Sequence, residues 1–244
     1  LITYMRTDST NISTIAQSAA RDWIAQNIGK EYIPGSPVSY KTKVKGAQEA
    51  HEAVRPTKPE TQVENMKGDW TQRHKNLYQL IWQRIMASQM NPAKINKVAI
   101  LITGSKNSSE FIVNGQKIIF AGFMKIYPVQ FSENILPAVK EKAAVKLNEL
   151  ISEAHFTEPP ARYSEASLVK ELEQLGIGRP STYAPTISTI VDRGYVKVEK
   201  RVFFPQEIGM IVTDLLKEHF PEIVDASFTA KLDGSQEIPA VTTT

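Results

Sequence analysis

Residues 2–9 read Ile2-Thr3-Tyr4-Met5-Arg6-Thr7-Asp8-Ser9 and place a phenol, a guanidinium, a carboxylate and three hydroxyls in one short stretch. Tyrosine is an uncommon nucleophile, but it suits attack on a phosphodiester, because a sugar hydroxyl can attack the resulting aryl phosphate in return. Arginine holds phosphate oxygens in a planar fork and offsets charge as it develops. The stretch therefore makes Tyr4 a candidate nucleophile and Arg6 a candidate phosphate clamp.

The same stretch also has an ordinary structural interpretation. Ser and Thr ahead of a helix are common caps, Tyr4 can pack, and Arg6 can be a surface arginine on a helix-entry loop. In an extended segment Asp8 projects on the side of Tyr4 and Arg6, where it can orient Arg6 or help manage a proton. A carboxylate at a helix start is equally favoured by the helix dipole. Thr3, Thr7 and Ser9 suit caps or phosphate donors.

Composition sets broad bounds on the protein class. The chain has 244 residues, a net charge of +3 and no cysteine, which excludes disulfides and cysteine zinc sites. It has enough residues for one to three domains. No apolar run approaches the roughly 20 residues that span a membrane. The mildly basic charge permits nucleic-acid binding without requiring it. Because the first residue is Leu1, we expect an internal fragment of a longer polypeptide.

The pattern along the chain predicts an α+β, multi-domain protein. Residues 1–93 are mainly helical, with apolar spacing from Ile12 to Ile24 and again from Leu77 to Ser88. A short helix is expected to begin between residues 47 and 54. Residues 94–162 predict a small antiparallel β domain, with a buried strand over 98–102, a hairpin turning at Asn114-Gly115, and a strand over 144–156.

Residues 163–244 are predicted to be helical again, with one hairpin. Ser164 caps a helix that ends at Gly176, and Ser181 caps a second helix that ends near Arg193. Residues 195–204 alternate like a β-hairpin with basic residues facing outward. Two helices joined by a tight glycine turn and followed by a basic hairpin are the layout of a winged helix.

Four ordered stretches resemble the bacterial type IA DNA topoisomerases. They are residues 1–13 around Tyr4, Ala50-His51-Glu52-Ala53-Val54-Arg55-Pro56-Thr57, Leu77-Tyr78-Gln79-Leu80-Ile81-Trp82, and residues 164–196 with Gly176-Ile177-Gly178-Arg179-Pro180-Ser181-Thr182-Tyr183. Together they cover residues 1 to about 230. The resemblance implies three parts of the type IA torus: a helical domain carrying the tyrosine (1–93), a β-rich arch (94–162) and a winged-helix-like DNA-binding domain (163–244).

The resemblance also implies the roles of particular residues. Tyr4 attacks a backbone phosphate of single-stranded DNA, and Arg6, Asp8 and His51 assist it at the phosphate or in proton transfer. Arg179 approaches the scissile phosphate, since Gly176 and Gly178 let the backbone come close to DNA. The remaining DNA-binding residues that we expect are Arg193, Ser181, Thr182, Thr3 and Arg55.

The implied reaction is ATP-independent relaxation of negatively supercoiled DNA through a 5′-phosphotyrosine intermediate, strand passage and religation. Type IA enzymes hold Mg²⁺ in an N-terminal metal-binding domain, and the chain has no Asp-x-Asp pair of its own. We therefore expect no metal bound by this chain, and Mg²⁺ supplied by that domain as its partner. The other expectations are DNA as substrate, a monomer, no membrane, and a cytoplasmic, nucleoid-associated location.

Two other functions account for less of the sequence. A non-enzymatic winged-helix DNA-binding protein explains residues 163–205 but leaves the Tyr4 and His51 stretches unexplained, and it predicts a preference for duplex DNA. A tyrosine recombinase would need further basic active-site residues in a recognisable arrangement, which the sequence does not show.

Overall fold

The computed structural model describes residues 1–5, 9–40, 51–105 and 109–235. Within these ranges the chain forms two compact units. The first contains 1–5, 10–40 and 52–152, and the second contains 153–235 together with Ser9 and His51. No helix within the described ranges is long and apolar enough to cross a membrane. The division into three domains at 93/94 and 162/163 stays a prediction.

Two helices form the core of the first unit: α1 (Thr14–Asn27) and α2 (Gln72–Ser88). The Ser13 hydroxyl accepts the Ala16 N–H at the start of α1, and the Thr71 hydroxyl accepts the His74 N–H at the start of α2. Both predicted helices are confirmed, and α2 begins earlier than Leu77 because Thr71 caps it. The helices bury a common apolar cluster: Ala20, Ile24, Tyr78, Trp82, Ile85, Met86, Met90 and Ile126.

The stretch Leu77–Trp82, one of the four resemblance blocks, has a packing role in this core. Tyr78 and Trp82 are buried, and their polar atoms donate to the carbonyls of Thr61 (2.8 Å) and Pro59 (2.7 Å). Trp23 of α1 meets Trp82 edge to face at 5.0 Å, a favoured aromatic geometry. This block therefore orders the loop before α2.

The β region of the first unit is one hairpin of β1 (Lys94–Thr103) and β2 (Glu110–Phe120), paired antiparallel from Lys94↔Phe120 to Thr103↔Glu110. The predicted turn at Asn114-Gly115 is wrong, because both residues lie inside β2. Gly115 permits a close approach instead: a Cβ there would lie 2.9 Å from the Asn134 carbonyl oxygen and 2.6 Å from Leu136 Cγ.

Two further expectations for the β region are wrong. The run 98–102 is not buried, since Val98 is 45% and Leu101 56% exposed on a sheet of two strands. Residues 144–156 form no strand. A strand is stable only when its backbone N–H and C=O groups hydrogen-bond to a neighbouring strand. An alternating pattern indicates which side chains share a face, but it does not supply that neighbour. The helix expected to begin in 47–54 is also wrong at 51–54, which are non-helical, while 47–50 lie outside the described residues.

The second unit contains α3 (Glu165–Leu175), α4 (Pro180–Asp192), β3 (Val196–Glu199), β4 (Val202–Pro205), α5 (Glu207–His219) and α6 (Ala226–Ser235). The predicted cap at Ser164 and stop at Gly176 are confirmed, the latter in a left-handed conformation with φ of 74°. Ser181 is not the second cap, since α4 begins at Pro180 with Arg179 as its N-cap. Proline suits a first helical position because no partner exists there for an N–H group.

The strands β3 and β4 and the turn between them form the basic hairpin, residues 196–205. The predicted hairpin is confirmed, with register from Val196↔Pro205 to Glu199↔Val202. The chain entering α3 extends this sheet, because Ser164 bridges Val202 and the Phe203 N–H donates to the Tyr163 carbonyl at 2.8 Å. Phe203 is buried, so this face of the hairpin packs inward.

Candidate active site

Residues 1–3 of the first resemblance block and residues 53–57 of the second lie side by side in the first unit. The Thr3 N–H donates to the Arg55 carbonyl at 2.8 Å, the Thr57 N–H donates to the Leu1 carbonyl at 2.9 Å, and Ile2 forms an antiparallel bridge with Pro56. We call this arrangement of residues 1–3 with 53–57 the N-terminal pairing. It fixes the backbone on which Tyr4 stands, because Tyr4 directly follows the paired residues.

The Thr3 hydroxyl completes the N-terminal pairing. It donates to the Ala53 carbonyl at 2.8 Å and accepts the Arg55 N–H at 3.0 Å. These two bonds connect one side chain to two backbone groups about fifty residues away in sequence. Thr3 was expected to bind DNA, but its hydroxyl has a structural use in the pairing.

Glu52 and Arg55 form a bidentate ion pair beside the N-terminal pairing. Arg55 Nε donates to Glu52 Oε1 at 2.9 Å and Arg55 Nη2 to Oε2 at 2.8 Å, while Nη1 donates to the Pro56 carbonyl at 2.9 Å. The side chains are only 14% and 28% exposed. Two parallel charge-assisted bonds give such a pair a fixed geometry.

Glu52 also holds the start of α1. Its Oε1 accepts the N–H of Ser13, the N-cap residue, at 2.8 Å, and the Ala53 N–H donates to the Asn11 carbonyl at 2.7 Å. Burial raises the pKa of the Glu52 carboxyl, but hydrogen bonds from Arg55 and Ser13 outweigh it and leave the pKa below its ordinary value. The carboxylate form is therefore the one that the fold stabilises.

Tyr4 presents its side chain at the surface, with 75% of it exposed. An exposed phenol on a hydrogen-bonded backbone suits attack on a polymer that is too large to enter a closed pocket. Arg6 and Asp8, the other two candidate catalytic residues of this stretch, lie outside the described residues.

Ser9 and His51 are linked within the second unit. The buried Ser9 hydroxyl donates to the His51 carbonyl at 2.5 Å, and the His51 side chain is half-buried. Ser9, which carries one of the three hydroxyls of residues 2–9, thus holds the backbone at His51. This bond again connects the first block to the second.

The Gly178-Arg179 turn of the second unit is held by bonds of its own. Arg179 Nη1 donates to the Gly178 carbonyl at 2.8 Å, and the Arg179 N–H donates to Thr182 Oγ1 at 2.8 Å. Gly178 has φ of 77°, and a Cβ there would lie 3.0 Å from Tyr183 Cε1. The glycine therefore accommodates the protein's own Tyr183 ring, which is half-buried as expected of a packing residue.

Ser181 and Arg193 lie at opposite ends of α4, and both are exposed. Ser181 belongs to the first turn, in which Pro180 has no N–H and the Thr182 N–H donates to the Arg179 carbonyl at 2.8 Å. Arg193 follows the last residue, and its N–H donates to the Thr189 carbonyl at 3.0 Å. Both positions suit contact with an anion, and the arginine also suits the negative end of the helix dipole.

The described residues do not fit a resident metal ion. No group of three or more His, Asp or Glu side chains within the described ranges could hold a cation.

Two features of the structure were not expected from the sequence: the positioning role of Glu52, and the contact of the Arg162 guanidinium with the Phe204 ring, whose centroid lies 4.8 Å away. The three-residue spacing of Glu52 and Arg55 is a signal for an ion pair. The contact of Glu52 with Ser13 spans 39 positions and leaves no local signal.

A family model described as DNA topoisomerase matches residues 1–237. The chain therefore belongs to the DNA topoisomerase family. The resemblance to the bacterial type IA enzymes, based on the four blocks, is confirmed, and the alternative of a non-enzymatic winged-helix protein is not favoured.

Individual relatives with similar sequences are bacterial DNA topoisomerase 1 proteins. The chain is 46% identical over 233 residues to DNA topoisomerase 1 of Helicobacter pylori, covering 96% of this chain and 31% of the relative. It is 47% identical over 237 residues to DNA topoisomerase 1 of Escherichia coli K12, covering 96% and 27%. The mixed helix and strand fold resembles the solved full-length topoisomerase I of Thermotoga maritima, with a TM-score of 0.77, 33% identity, and coverage of 96% and 38%. The chain thus spans about a third of the length of these relatives.

Proposed function

We propose that this chain is the strand-cleaving part of a type IA DNA topoisomerase and that Tyr4 is its nucleophile. The observation that carries the proposal is the N-terminal pairing, which joins the tyrosine block to the Ala53–Thr57 backbone and leaves the Tyr4 phenol 75% exposed. Two blocks that the sequence separates by about fifty residues thereby contribute to one surface.

The proposed reaction is a reversible transesterification. The Tyr4 phenolic oxygen bonds to phosphorus in single-stranded DNA, and the bond from phosphorus to the neighbouring 3′ oxygen breaks. The phenol gives up a proton and the leaving oxygen gains one, which yields a 5′-phosphotyrosine and a 3′ hydroxyl. The hydroxyl then attacks the phosphotyrosine and restores the strand. No ATP is needed, because the aryl ester keeps the energy of the phosphodiester.

The charged residues of the first two blocks assist this step. Arg6 offsets negative charge on the scissile phosphate, a contribution of about 2–4 kcal/mol in a site that excludes water. Asp8 orients Arg6 or handles a proton, and His51 donates a hydrogen bond to the phosphate or helps transfer the proton.

The second unit supplies the proposed DNA contacts. Arg179, Arg193, Ser181 and Thr182 lie along α4 or at its ends, where guanidinium and hydroxyl groups suit phosphate oxygens. For Thr3 and Arg55 we propose a positioning role in place of DNA contact, because their hydrogen-bonding groups serve the N-terminal pairing and the Glu52 ion pair.

The whole protein would relax negatively supercoiled DNA. In this proposal residues 1–93 carry the tyrosine, residues 94–162 form part of an arch, and residues 163–244 form a winged-helix-like DNA-binding domain of the type IA torus. Movement of the arch opens the DNA gate for strand passage. Mg²⁺ is held by a metal-binding domain outside these 244 residues, and the protein acts as a cytoplasmic, nucleoid-associated monomer.

A covalent trapping experiment tests the proposal. The chain is mixed with the N-terminal segment of the parent polypeptide, Mg²⁺ and end-labelled single-stranded DNA, and the reaction is stopped with denaturant. We expect labelled protein for the wild type and for Tyr40→Phe, a second exposed tyrosine of the same unit. Tyr4→Phe should give none. Labelled protein in Tyr4→Phe, at the wild-type level of DNA binding, would exclude Tyr4 as the nucleophile.

A further inference from the structure

We infer that the outward face of the basic hairpin is a binding strip for the phosphate backbone of a nucleic acid. The strip consists of Arg162, Lys200 and Arg201, with Lys197 beside them. This inference rests on the proposed function only for the choice of DNA as the polymer. Three features of the hairpin support this role: the backbone conformation of its turn, the difference between its two faces and the pairing of its charges.

The turn of the basic hairpin holds two cations in an unfavourable backbone conformation. Glu199 pairs with Val202, so Lys200 and Arg201 are the only residues of the loop, and their φ angles are 48° and 67°. Positive φ at both positions is the requirement of a type I′ turn, for which Asn-Gly is preferred. Residues with long side chains rarely adopt this region. We therefore infer that Lys200 and Arg201 have a role other than stabilising the fold.

The alternation of the strands separates the two faces of the hairpin. Phe203 is buried and faces the interior of the unit, so Phe204, one residue on, faces outward with its partner Lys197. Arg162, which is exposed, lies over the Phe204 ring at 4.8 Å. A guanidinium above an aromatic ring is attracted to the face of the ring and still carries N–H groups from which phosphate oxygens can accept.

The charges of the hairpin leave the tip positive. The only acid of residues 196–205 is Glu199, and Lys197 Nζ pairs with it at 2.8 Å. Within the described part of the chain, neither Lys200 nor Arg201 forms an ion pair with a carboxylate. Lys200 and Arg201 are both exposed. The tip therefore offers two cations whose charge is not neutralised by the neighbouring acid.

A polyanion is the ligand that such a strip fits. Exposed single cations bind isolated phosphate weakly in water, whereas a nucleic acid presents a row of phosphates and releases counterions when several are contacted together. Lys200 and Arg201 are exposed at the turn, so they can reach a backbone that passes over the surface. The contacts are to phosphate groups, so they do not distinguish one base sequence from another.

The test replaces the tip by the turn that folding prefers. Lys200→Asn together with Arg201→Gly (K200N/R201G) removes both charges and supplies the Asn-Gly of a type I′ turn. DNA affinity of the 244-residue chain is measured by fluorescence anisotropy at several salt concentrations, with single-stranded and duplex oligonucleotides. We expect affinity to fall about 5- to 30-fold at 0.1 M salt. The salt slope should fall by about 1.4 on single strands or about 1.8 on duplex.

The matched control is Lys140→Asn with Lys142→Gly (K140N/K142G). It also removes two exposed lysine charges from a turn, one of them at a positive φ of 62°, but in the other unit. We expect this variant to keep wild-type affinity to within about twofold, and K200N/R201G to melt at or above the wild-type temperature. Comparison of the titrations with single-stranded and with duplex oligonucleotides shows which form of DNA the strip contacts.

Two outcomes would overturn the inference while leaving the proposed function intact. One is wild-type DNA binding by K200N/R201G, and the other is an equal loss in K140N/K142G, which would mean that net charge alone matters. A wild-type chain with no measurable affinity for either form of DNA would also overturn it, and in that case the DNA contacts of the proposed function would fail with it.

Discussion

Arg55 of the N-terminal pairing and Arg201 of the basic hairpin are both arginines in short paired segments, but their surroundings differ. The Arg55 side chain is 14% exposed and makes two bonds to Glu52 and one to the Pro56 carbonyl. Arg201 is exposed at a left-handed backbone position. Partners and burial thus separate an arginine that holds the protein together from one that is open to a ligand. Opposite effects on stability should follow when each is replaced.

Replacing Arg55 should have the largest effect on stability. Arg55→Ala leaves the partly buried Glu52 carboxylate without its bidentate partner, and we expect a loss of about 1–3 kcal/mol in the free energy of unfolding. Urea denaturation measures it. The control is Arg73→Ala, an exposed arginine of α2, which should stay within about 0.5 kcal/mol of wild type. Equal stability of the two variants would contradict the positioning role of Arg55.

The two threonines expected to bind DNA provide a second test. Thr3→Val removes a hydroxyl that bonds two backbone groups across the N-terminal pairing and should cost about 1–2 kcal/mol of unfolding free energy. Thr182→Val removes a similar but exposed bridge to Arg179 and should cost about 0.5–1 kcal/mol. Denaturation and DNA titration are measured together. Unchanged stability with weaker DNA binding in Thr3→Val would restore the DNA-contact role.

The basic hairpin should respond in the opposite direction. K200N/R201G replaces two side chains held at positive φ by residues that adopt this conformation readily, and the free energy of unfolding should rise by about 1 kcal/mol. The measurement is the same urea titration. A decrease in stability would mean that Lys200 or Arg201 makes contacts that support the fold, and the comparison with Arg55 would lose its basis.

The smallest effect concerns pH. The pKa of Glu52 lies below its ordinary value of 4.5, so its contribution to stability is present above that value and disappears as pH falls through the folded-state pKa. Glu52→Gln should lower the free energy of unfolding by under about 1 kcal/mol at pH 7. The difference from wild type should shrink toward pH 3. A difference that is constant over this range would show that the carboxylate charge is not what stabilises the fold.

Local signals explain which parts of the fold could be predicted. The ends of α3 follow from the cap at Ser164 and the stop at Gly176, whose partners lie within a few residues. The Asn114-Gly115 pair is typical of a turn. The role of Gly115 in the structure instead depends on Asn134 and Leu136, about twenty positions away in sequence. A glycine can serve a turn or a close approach, and only the fold distinguishes these uses.

The candidate site shows the same limit. The resemblance predicts roles for Tyr4, His51 and Arg179 and DNA contact for Arg55 and Thr3. The hydrogen bonds of Arg55 and Thr3 could not be predicted from it, because a motif carries no information on burial. The bond from Ser13 to Glu52 connects residues 39 positions apart and has no counterpart in any local pattern. The strained Lys200-Arg201 turn was read from the sequence only as a basic hairpin, since the φ angles follow from the pairing of Glu199 with Val202.

The assignment of Tyr4 as the nucleophile can be tested by mapping the residue that becomes linked to DNA. The trapped complex is digested with nuclease and trypsin, and the modified peptide is sequenced by mass spectrometry. We expect a nucleotide remnant joined through its 5′ phosphate to Tyr4, in the peptide of residues 1–6. A remnant on any other residue, or a linkage through a 3′ phosphate, would contradict it.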